Sequence, residues 1–463
     1  MLRKKGIVLG FVAGLTAGLL FGSVVAQTGG FDKSDWQKKF FSPLYFAVRQ
    51  VQARYVEEVD PQKLLVGAYH GILSQLDDYS SYIPAKRLEE FEGDTKGEFG
   101  GLGIEIRYYP LKNMLRVEQP IPGTPAFRAG VLAGDIITKV REESTGKVYD
   151  TTEFETVHDA VRVLRGEVGT KVTITVFHQE TREEEVMTIT RQTIKIPGVR
   201  TSGIVDEERK IGYAYVPSFH QGTADDLRKA IKEMQKEDVQ GLILDLRFNP
   251  GGLLASAIEV SDMFLEDAVV VSTRGRVSDE QVFRTRSKDL LLDAPMIVLV
   301  NRYSASASEI VAGAIKANQR GLLVGEKTFG KGSVQSILPL KDRESAIKLT
   351  TARYYTPDGV CIEEKGIEPE IEIRLSTEEN RALALELAER EDPPKPEEKN
   401  EDAEEKPPVE GPPTEAPGEE NEEPEEEPFE DLQLQRAMDI LKGIIIREQY
   451  TAKGIKPAEA AQK

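Results

Sequence analysis

The 463-residue chain carries 60 Lys and Arg against 79 Asp and Glu, a formal net charge of −19. That balance excludes a basic nucleic-acid binder, and 39% hydrophobic with 7% aromatic residues excludes wholesale disorder. The single cysteine, Cys361, excludes an intramolecular disulfide framework and a multi-cysteine zinc site.

The chain opens Met-Leu-Arg-Lys-Lys and continues with residues 6–26, which carry no charge. As a helix that run spans about 31 Å, enough to cross a bilayer core. The basic flank is expected to stay cytoplasmic, which sends the rest of the chain out of the cell. Val24-Val25-Ala26-Gln27 offers a signal-peptidase site. Residues 1–30 are therefore expected to be a cleaved signal peptide or an uncleaved membrane anchor of an exported protein. Residues 31–95 read as a helical region, with Leu65, Ala68, Tyr69, Ile72 and Leu76 on one face and a polar turn at 76–82.

Residues 96–192 switch to short alternating runs such as 103–106 and 171–176. A helix near 156–164 lies between them, with Val157, Ala160, Val161 and Leu164 at helical spacing. Together they suggest a small α+β module. Residues 193–378 alternate strand and helix: strands at 211–216, 241–246, 296–300, 321–325 and 333–338, helices at 223–236, after 252, and at 306–318. That rhythm implies a largely parallel sheet covered by helices, an α/β core. Residues 379–430 are assigned to an acidic Pro/Glu-rich disordered linker. Its stretch 391–430 holds 18 acidic and 3 basic residues, net −15, and 10 of the 25 prolines. Residues 431–463 regain a helical stripe, Leu434, Ala437, Met438, Leu441 and Ile445, which needs a partner surface.

Three loops follow buried strands, where α/β folds place ligands. In Asn249-Pro250-Gly251-Gly252, paired glycines let backbone approach a ligand and aim N–H groups at an anion, or simply make a turn. In Asn301-Arg302-Tyr303-Ser304-Ala305-Ser306-Ala307-Ser308-Glu309, a serine starts a helix among small residues. The 306–309 spacing is equally that of a capping box, and on these residues alone capping is the simpler reading. The third loop, 325–335, nearly matches the phosphate-binding GxxxxGK[ST] pattern, but Gly332 stands where a hydroxyl is needed and a strand-like run follows. Read together, Ser306 needs a base, and none of His70, His158, His178 and His220 adjoins these loops in sequence. Lys331, between glycines, can serve as base if burial keeps its amine neutral, with Gln335 holding it. A serine–histidine hydrolase using His220, after the strand at 211–216, is the alternative chemistry. In the middle module, Glu98-Phe99-Gly100-Gly101-Leu102-Gly103-Ile104 offers a backbone that captures a terminal carboxylate, or a tight strand-opening turn.

In this order the motifs resemble those of the C-terminal processing peptidases, or tail-specific proteases, over roughly 35–375. They comprise Leu76-Asp77-Asp78-Tyr79-Ser80-Ser81-Tyr82; Gly97 to Ile104; Pro122-Gly123-Thr124-Pro125-Ala126; Ala129-Gly130-Val131; Gly134-Asp135-Ile136-Ile137; Leu164-Arg165-Gly166; Asp245 to Gly252; Ser304 to Ile310; and Gly330 to Gln335. The resemblance implies a PDZ domain with a crotonase-like α/β protease core and a serine endopeptidase with a Ser306–Lys331 dyad assisted by Gln335. It further implies an oxyanion hole from Gly251, Gly252 and Ala307. Substrate C-termini would bind the PDZ residues Gly100, Gly101, Leu102 and Gly103, and Arg165 would couple PDZ position to the active site. No metal or cofactor is implied, and no nucleic acid. The expected partners are proteins with accessible C-termini, the membrane through the N-terminal segment, and a second copy through the N-terminal helices and the C-terminal helix. A non-catalytic PDZ-containing binding protein is the remaining class. Some members carry an acidic residue eleven positions after the serine. Ala317 stands there in this chain, which favours the Lys331–Gln335 arrangement.

Overall fold

The computed structural model describes residues 33–109, 112–121, 123–179, 181–286, 290–341, 344–389 and 429–452. The apolar segment 6–26, Pro122 and the acidic stretch 391–428 lie outside the described residues. Among the described residues, no helix is long and apolar enough to cross a membrane.

Residues 1–82 form one unit and 83–463 another. Of the expected helical region 31–95, the last part is helix Ala85–Lys96 of the second unit, and the first unit holds helices Lys33–Arg54 and Pro61–Leu73. Asp60 caps the second by accepting from Gln62 N–H at 2.9 Å, with Pro61 pre-set at the first helical position. Asp77 closes the polar turn by accepting from the N–H groups of Tyr79 and Ser80, both at 2.8 Å. The apolar face expected on the second helix is not covered: Leu65, Ile72 and Leu76 are exposed, and Leu73 is the buried residue. Phe40, Phe41, Tyr45 and Phe46 are also exposed.

In the second unit, Ile104–Tyr109, Met114–Pro120, Ile136–Glu142, Lys171–His178 and Glu183–Thr190 pair in that order as an antiparallel sheet. Helix Val157–Leu164 starts at a Thr156–Asp159 capping box and packs Ala160, Val163 and Leu164 into the same core as Leu115, Ile137, Val172 and Ile174. Strand Glu98–Gly101 pairs with Gln192–Lys195, so this module's two ends run side by side.

The following residues build a six-stranded sheet in the order Thr201–Asp206, Ile211–Tyr215, Gly241–Asp245, Met296–Val300, Leu322–Gly325 and Ile371–Glu372. The first pair is antiparallel and the rest are parallel. Its central strands are wholly buried because both faces are covered, which is why they read as continuous apolar runs. Leu242, Leu244, Val298 and Val300 face a core shared with helices Thr223–Lys236, Leu254–Ser261 and Ala307–Ala317. Ile243, Ile297, Leu299 and Val324 face a second core shared with helices Thr377–Glu389 and Leu432–Ala452. A further sheet pairs Ala346–Tyr355 with Ser333–Pro339 on one side and Val269–Gly275 on the other.

Two expectations are corrected here. Residues 379–389, assigned to the acidic linker, belong to helix Thr377–Glu389, because Leu383 and Leu387 lie one turn apart and are both buried against the sheet. The stripe Leu434, Ala437, Met438, Leu441 and Ile445 finds its partner within its own chain, so it is not available as the dimer surface expected of it. Ile445 and Leu441 pack so closely over Gly241 that a Cβ there would lie 3.2 and 3.5 Å from them. Replacing Leu441, fully buried, by Ala is expected to cost about 3 kcal/mol in urea unfolding. A change below about 1 kcal/mol would mean that the helix does not dock on the sheet.

Candidate functional site

The loops that leave the carboxyl ends of the parallel strands converge on one side of the sheet, as open α/β topology requires. They surround a cavity of about 1030 Å³ lined by Ser306, Lys331, Gln335, Gly251, Gly252 and His220 among others. Ser306, Lys331 and the Gly251-Gly252 turn, which are up to 80 positions apart in sequence, thus share one cavity.

Ser306 precedes helix Ala307–Ala317 with φ +55° and ψ −111°. A non-glycine residue there carries about 1–3 kcal/mol of backbone strain. The strain is held by Glu309, which is fully buried. Glu309 Oε2 accepts from the backbone N–H of Ser306 and of Lys331, both at 2.8 Å. Its Oε1 accepts from Gly330 N–H at 2.7 Å and from Thr328 Oγ1 at 2.6 Å. The capping box expected from the 306–309 spacing is present, but Glu309 does more than cap, since one carboxylate fastens the Ser306 and Lys331 loops together. Burial raises its pKa, against the pull of those four hydrogen bonds. Read from sequence, Glu309 is only part of a helix cap.

The glycine turn is packed directly on Ser306. A Cβ on Gly251, φ +103°, would lie 2.8 Å from Ser306 Cβ and 2.9 Å from Ala307 N. One expected oxyanion donor is corrected: Gly251 N–H is taken by Asn249 Oδ1 at 2.8 Å. That amide cannot flip away, because Asn249 Nδ2 donates to Val216 O at 2.7 Å. Among the described residues the backbone N–H groups of Gly252 and Ala307 make no hydrogen bond. The second is one of the orphan donors of a helix N-terminus.

Lys331 sits between Gly330 and Gly332, whose missing side chains admit the backbone of residues 362–366; a Cβ on Gly332 would lie 2.2 Å from Glu363 N. Burial pushes the Lys331 ammonium below its ordinary pKa. Lys348, which lines the same cavity, adds to this, while Glu363 and Glu309 pull the other way. Gln335 lies on strand Ser333–Pro339, where a register shift between Val334 and Gln335 lets both line the cavity. Its Nε2 donates to Ser333 Oγ at 2.9 Å and Thr350 Oγ1 at 3.4 Å, which leaves its carbonyl oxygen to accept from an amine.

His220 is brought to the cavity, but in a form unsuited to a base. Its Nδ1 accepts from Gly222 N–H at 3.1 Å, so a neutral ring carries its proton on Nε2 and has no lone pair left there. Nε2 is buried without a partner among the described residues. The PDZ residues are placed elsewhere. Gly100 O accepts from Gly166 N–H at 3.0 Å, and Gly101 pairs with Gln192. The N–H groups of Leu102 and Gly103 make no hydrogen bond among the described residues. Arg165 reaches Asp94 at 3.2 Å and stacks 3.9 Å over the Phe99 ring. Asp94 itself lines the cavity, a link with no local trace in the sequence.

A model of peptidase family S41 matches residues 210–373, and a PDZ-domain model matches residues 116–176. The carboxy-terminal-processing protease of Bartonella bacilliformis is 41% identical over 378 residues, covering 80% of this chain and 82% of that protein. The carboxy-terminal processing protease CtpA of Bacillus subtilis is 33% identical over 337 residues, covering 72% and 69%. Among solved structures, a photosystem II D1 C-terminal processing protease is 29% identical, covers 73% of this chain and 88% of its own, and has a TM-score of 0.43.

Glu309→Ala leaves buried N–H donors on two loops without an acceptor. It is expected to destabilise the protein by about 3 kcal/mol or more. Glu309→Gln, which keeps the shape and an acceptor oxygen, is expected to lose less. Equal losses for the two in chemical denaturation would show that the fastening is not what holds the loops.

Proposed function

We propose that this chain, which belongs to peptidase family S41 and is a serine-type carboxy-terminal-processing protease, cleaves exported proteins near their C-termini through a Ser306–Lys331 dyad. The observation that carries this reading is Lys331: it shares the Ser306 cavity, and burial holds its amine below its ordinary pKa. Neutral Lys331 takes the Ser306 proton as Oγ attacks the scissile carbonyl. The N–H groups of Gly252 and Ala307 receive the oxyanion. Collapse expels the amine, which leaves with the proton from the Lys331 ammonium, and Ser306 keeps the acyl group as an ester. Lys331 then deprotonates a water that attacks the ester and returns the proton to Ser306. Gln335, with its acceptor oxygen uncommitted, orients the lysine amine without adding a charge that would raise its pKa.

The PDZ domain binds the substrate's C-terminus in this reading, with the N–H groups of Leu102 and Gly103 receiving the terminal carboxylate. Arg165, through Asp94 at the cavity wall, couples the PDZ domain to access. The N-terminal segment takes the protein across or into the membrane. The exposed Phe40, Phe41, Tyr45 and Phe46 suit a contact with a second copy, the remaining support for a homodimer.

Ser306→Ala and Lys331→Ala are each expected to lower kcat on a peptide with an apolar C-terminal tail by about 10⁴-fold or more. Full turnover by both variants would sink the dyad. The active form of Lys331 is deprotonated, so activity rises with pH through a midpoint below the ordinary lysine value of 10.5. Lys348→Met removes a neighbouring positive charge, lets the Lys331 pKa rise, and moves that midpoint to higher pH. An unmoved or lowered midpoint in the kcat–pH profile would contradict the assignment of Lys331 as base.

A further inference from the structure

Arg247 begins the turn that carries Gly251 and Gly252, and its guanidinium is fully buried. It meets two carboxylates. Nε donates to both Asp245 oxygens at 3.0 Å, and Nη2 to Asp245 Oδ2 at 2.6 Å. From the other side, Nη1 and Nη2 donate to Asp431 Oδ1 and Oδ2, each at 2.8 Å, as a bidentate pair. Nη1 also donates to Gln433 Oε1 at 3.1 Å, so all five guanidinium N–H groups are used. Asp431 stands just before helix Leu432–Ala452, where its Oδ1 also accepts from Leu434 N–H at 3.0 Å. Gln433 is itself fixed by donating to Ile373 O at 2.7 Å.

Asp245 alone would balance the charge of Arg247. A second buried carboxylate is more than the charge of Arg247 needs. What it adds is direction, because the guanidinium fork is gripped from both sides. The next residues pass that orientation on. Phe248 N–H donates to Asn301 Oδ1 at 3.0 Å, and Asn249 O accepts from Ala305 N–H at 3.0 Å and Ser308 Oγ at 2.9 Å. Asn249 Oδ1 holds Gly251 N–H. An unbroken run of bonds thus leads from the first turn of the C-terminal helix to the backbone beside Ser306.

We propose that Asp431 is a positioning residue: docking of the C-terminal helix sets the Gly251-Gly252 turn through Arg247, so the helix is an internal effector of the site and not merely a cover for the sheet. The proposal rests on the reading of Ser306 as nucleophile.

The test uses the full chain, a tailed peptide substrate, and the rate at which a fluorophosphonate labels Ser306. Asp431→Ala is expected to lower kcat roughly 30-fold with KM within about twofold, and to slow labelling in parallel, as a misplaced oxyanion donor would. The isosteric Asp431→Asn should show the same loss even if the alanine variant folds poorly, and Asp431→Glu should recover part of it. Leu441→Ala, on the same helix but away from Arg247, should lower Tm and leave kcat within about twofold. The proposal is overturned if Asp431→Asn keeps full kcat, or if all these variants lose kcat in proportion to Tm. Ser306→Ala separates the two levels. Turnover by that variant defeats the serine reading itself, whereas its inactivity beside a fully active Asp431→Asn defeats only the positioning role.

Discussion

A carboxylate removed from water needs its lone pairs filled, and Glu309 fills them with one donor each from Ser306, Thr328, Gly330 and Lys331. Three of these donors are backbone N–H groups, so the bonds fix chain paths and not merely side-chain ends. The positive-φ backbone of Ser306 is held at its N–H by one of these bonds. Beside it the two loops are joined by Phe329 N–H donating to Ser304 O at 3.0 Å and by the Arg302–Glu326 pair. One buried side chain on the first turn of a helix thus ties the backbone of Ser306 to that of Gly330 and Lys331.

The rest of the site depends on how closely backbone can approach backbone at the carboxyl end of the sheet. Gly251 lies against Ser306 and Ala307, Gly252 against Phe219 O, and Gly332 against Glu363 N, each nearer than any Cβ allows. These contacts make three loops of one sheet edge into a single wall. Among the described residues the N–H groups of Gly252 and Ala307 beside them make no hydrogen bond, although buried donors are normally satisfied.

What the sequence disclosed was what is local. Fully buried strands such as 241–245 and 296–300 announced themselves as apolar runs, and helix 223–236 matched its periodicity to the residue. The loops stood out because their glycines and serine are concentrated in short motifs. The family resemblance, not periodicity, assigned their roles. Contacts made at long range were not legible. Ala346–Tyr355 is only partly buried along most of its length, so no clear strand period marks it in the sequence. Helix Thr377–Glu389 was absorbed into the acidic composition that follows it, although Leu383 and Leu387 anchor it. Nothing near Arg247 foretells Asp431, 184 positions away, and a capping box is a sufficient local explanation of Glu309, which hid its second role.

The interior treats its two key cations in opposite ways, and the contrast shows what the fold arranges. Burial alone lowers the pKa of both Arg247 and Lys331. For Arg247 the effect is overridden by Asp245 and Asp431, whose oxygens are aimed at the guanidinium, and the group is held more firmly protonated than in water. For Lys331 the nearby carboxylate of Glu309 has already committed its oxygens to three backbone N–H groups and the Thr328 hydroxyl, and Lys348 adds like charge, so burial prevails and the proton is loosened. An arginine suits the first position because its fork can satisfy two carboxylates while staying charged. A lysine suits the second because its single amine can lose the proton. The net negative charge of the chain has little part in either outcome. What decides each is where a few carboxylate oxygens point, and whether they are already occupied.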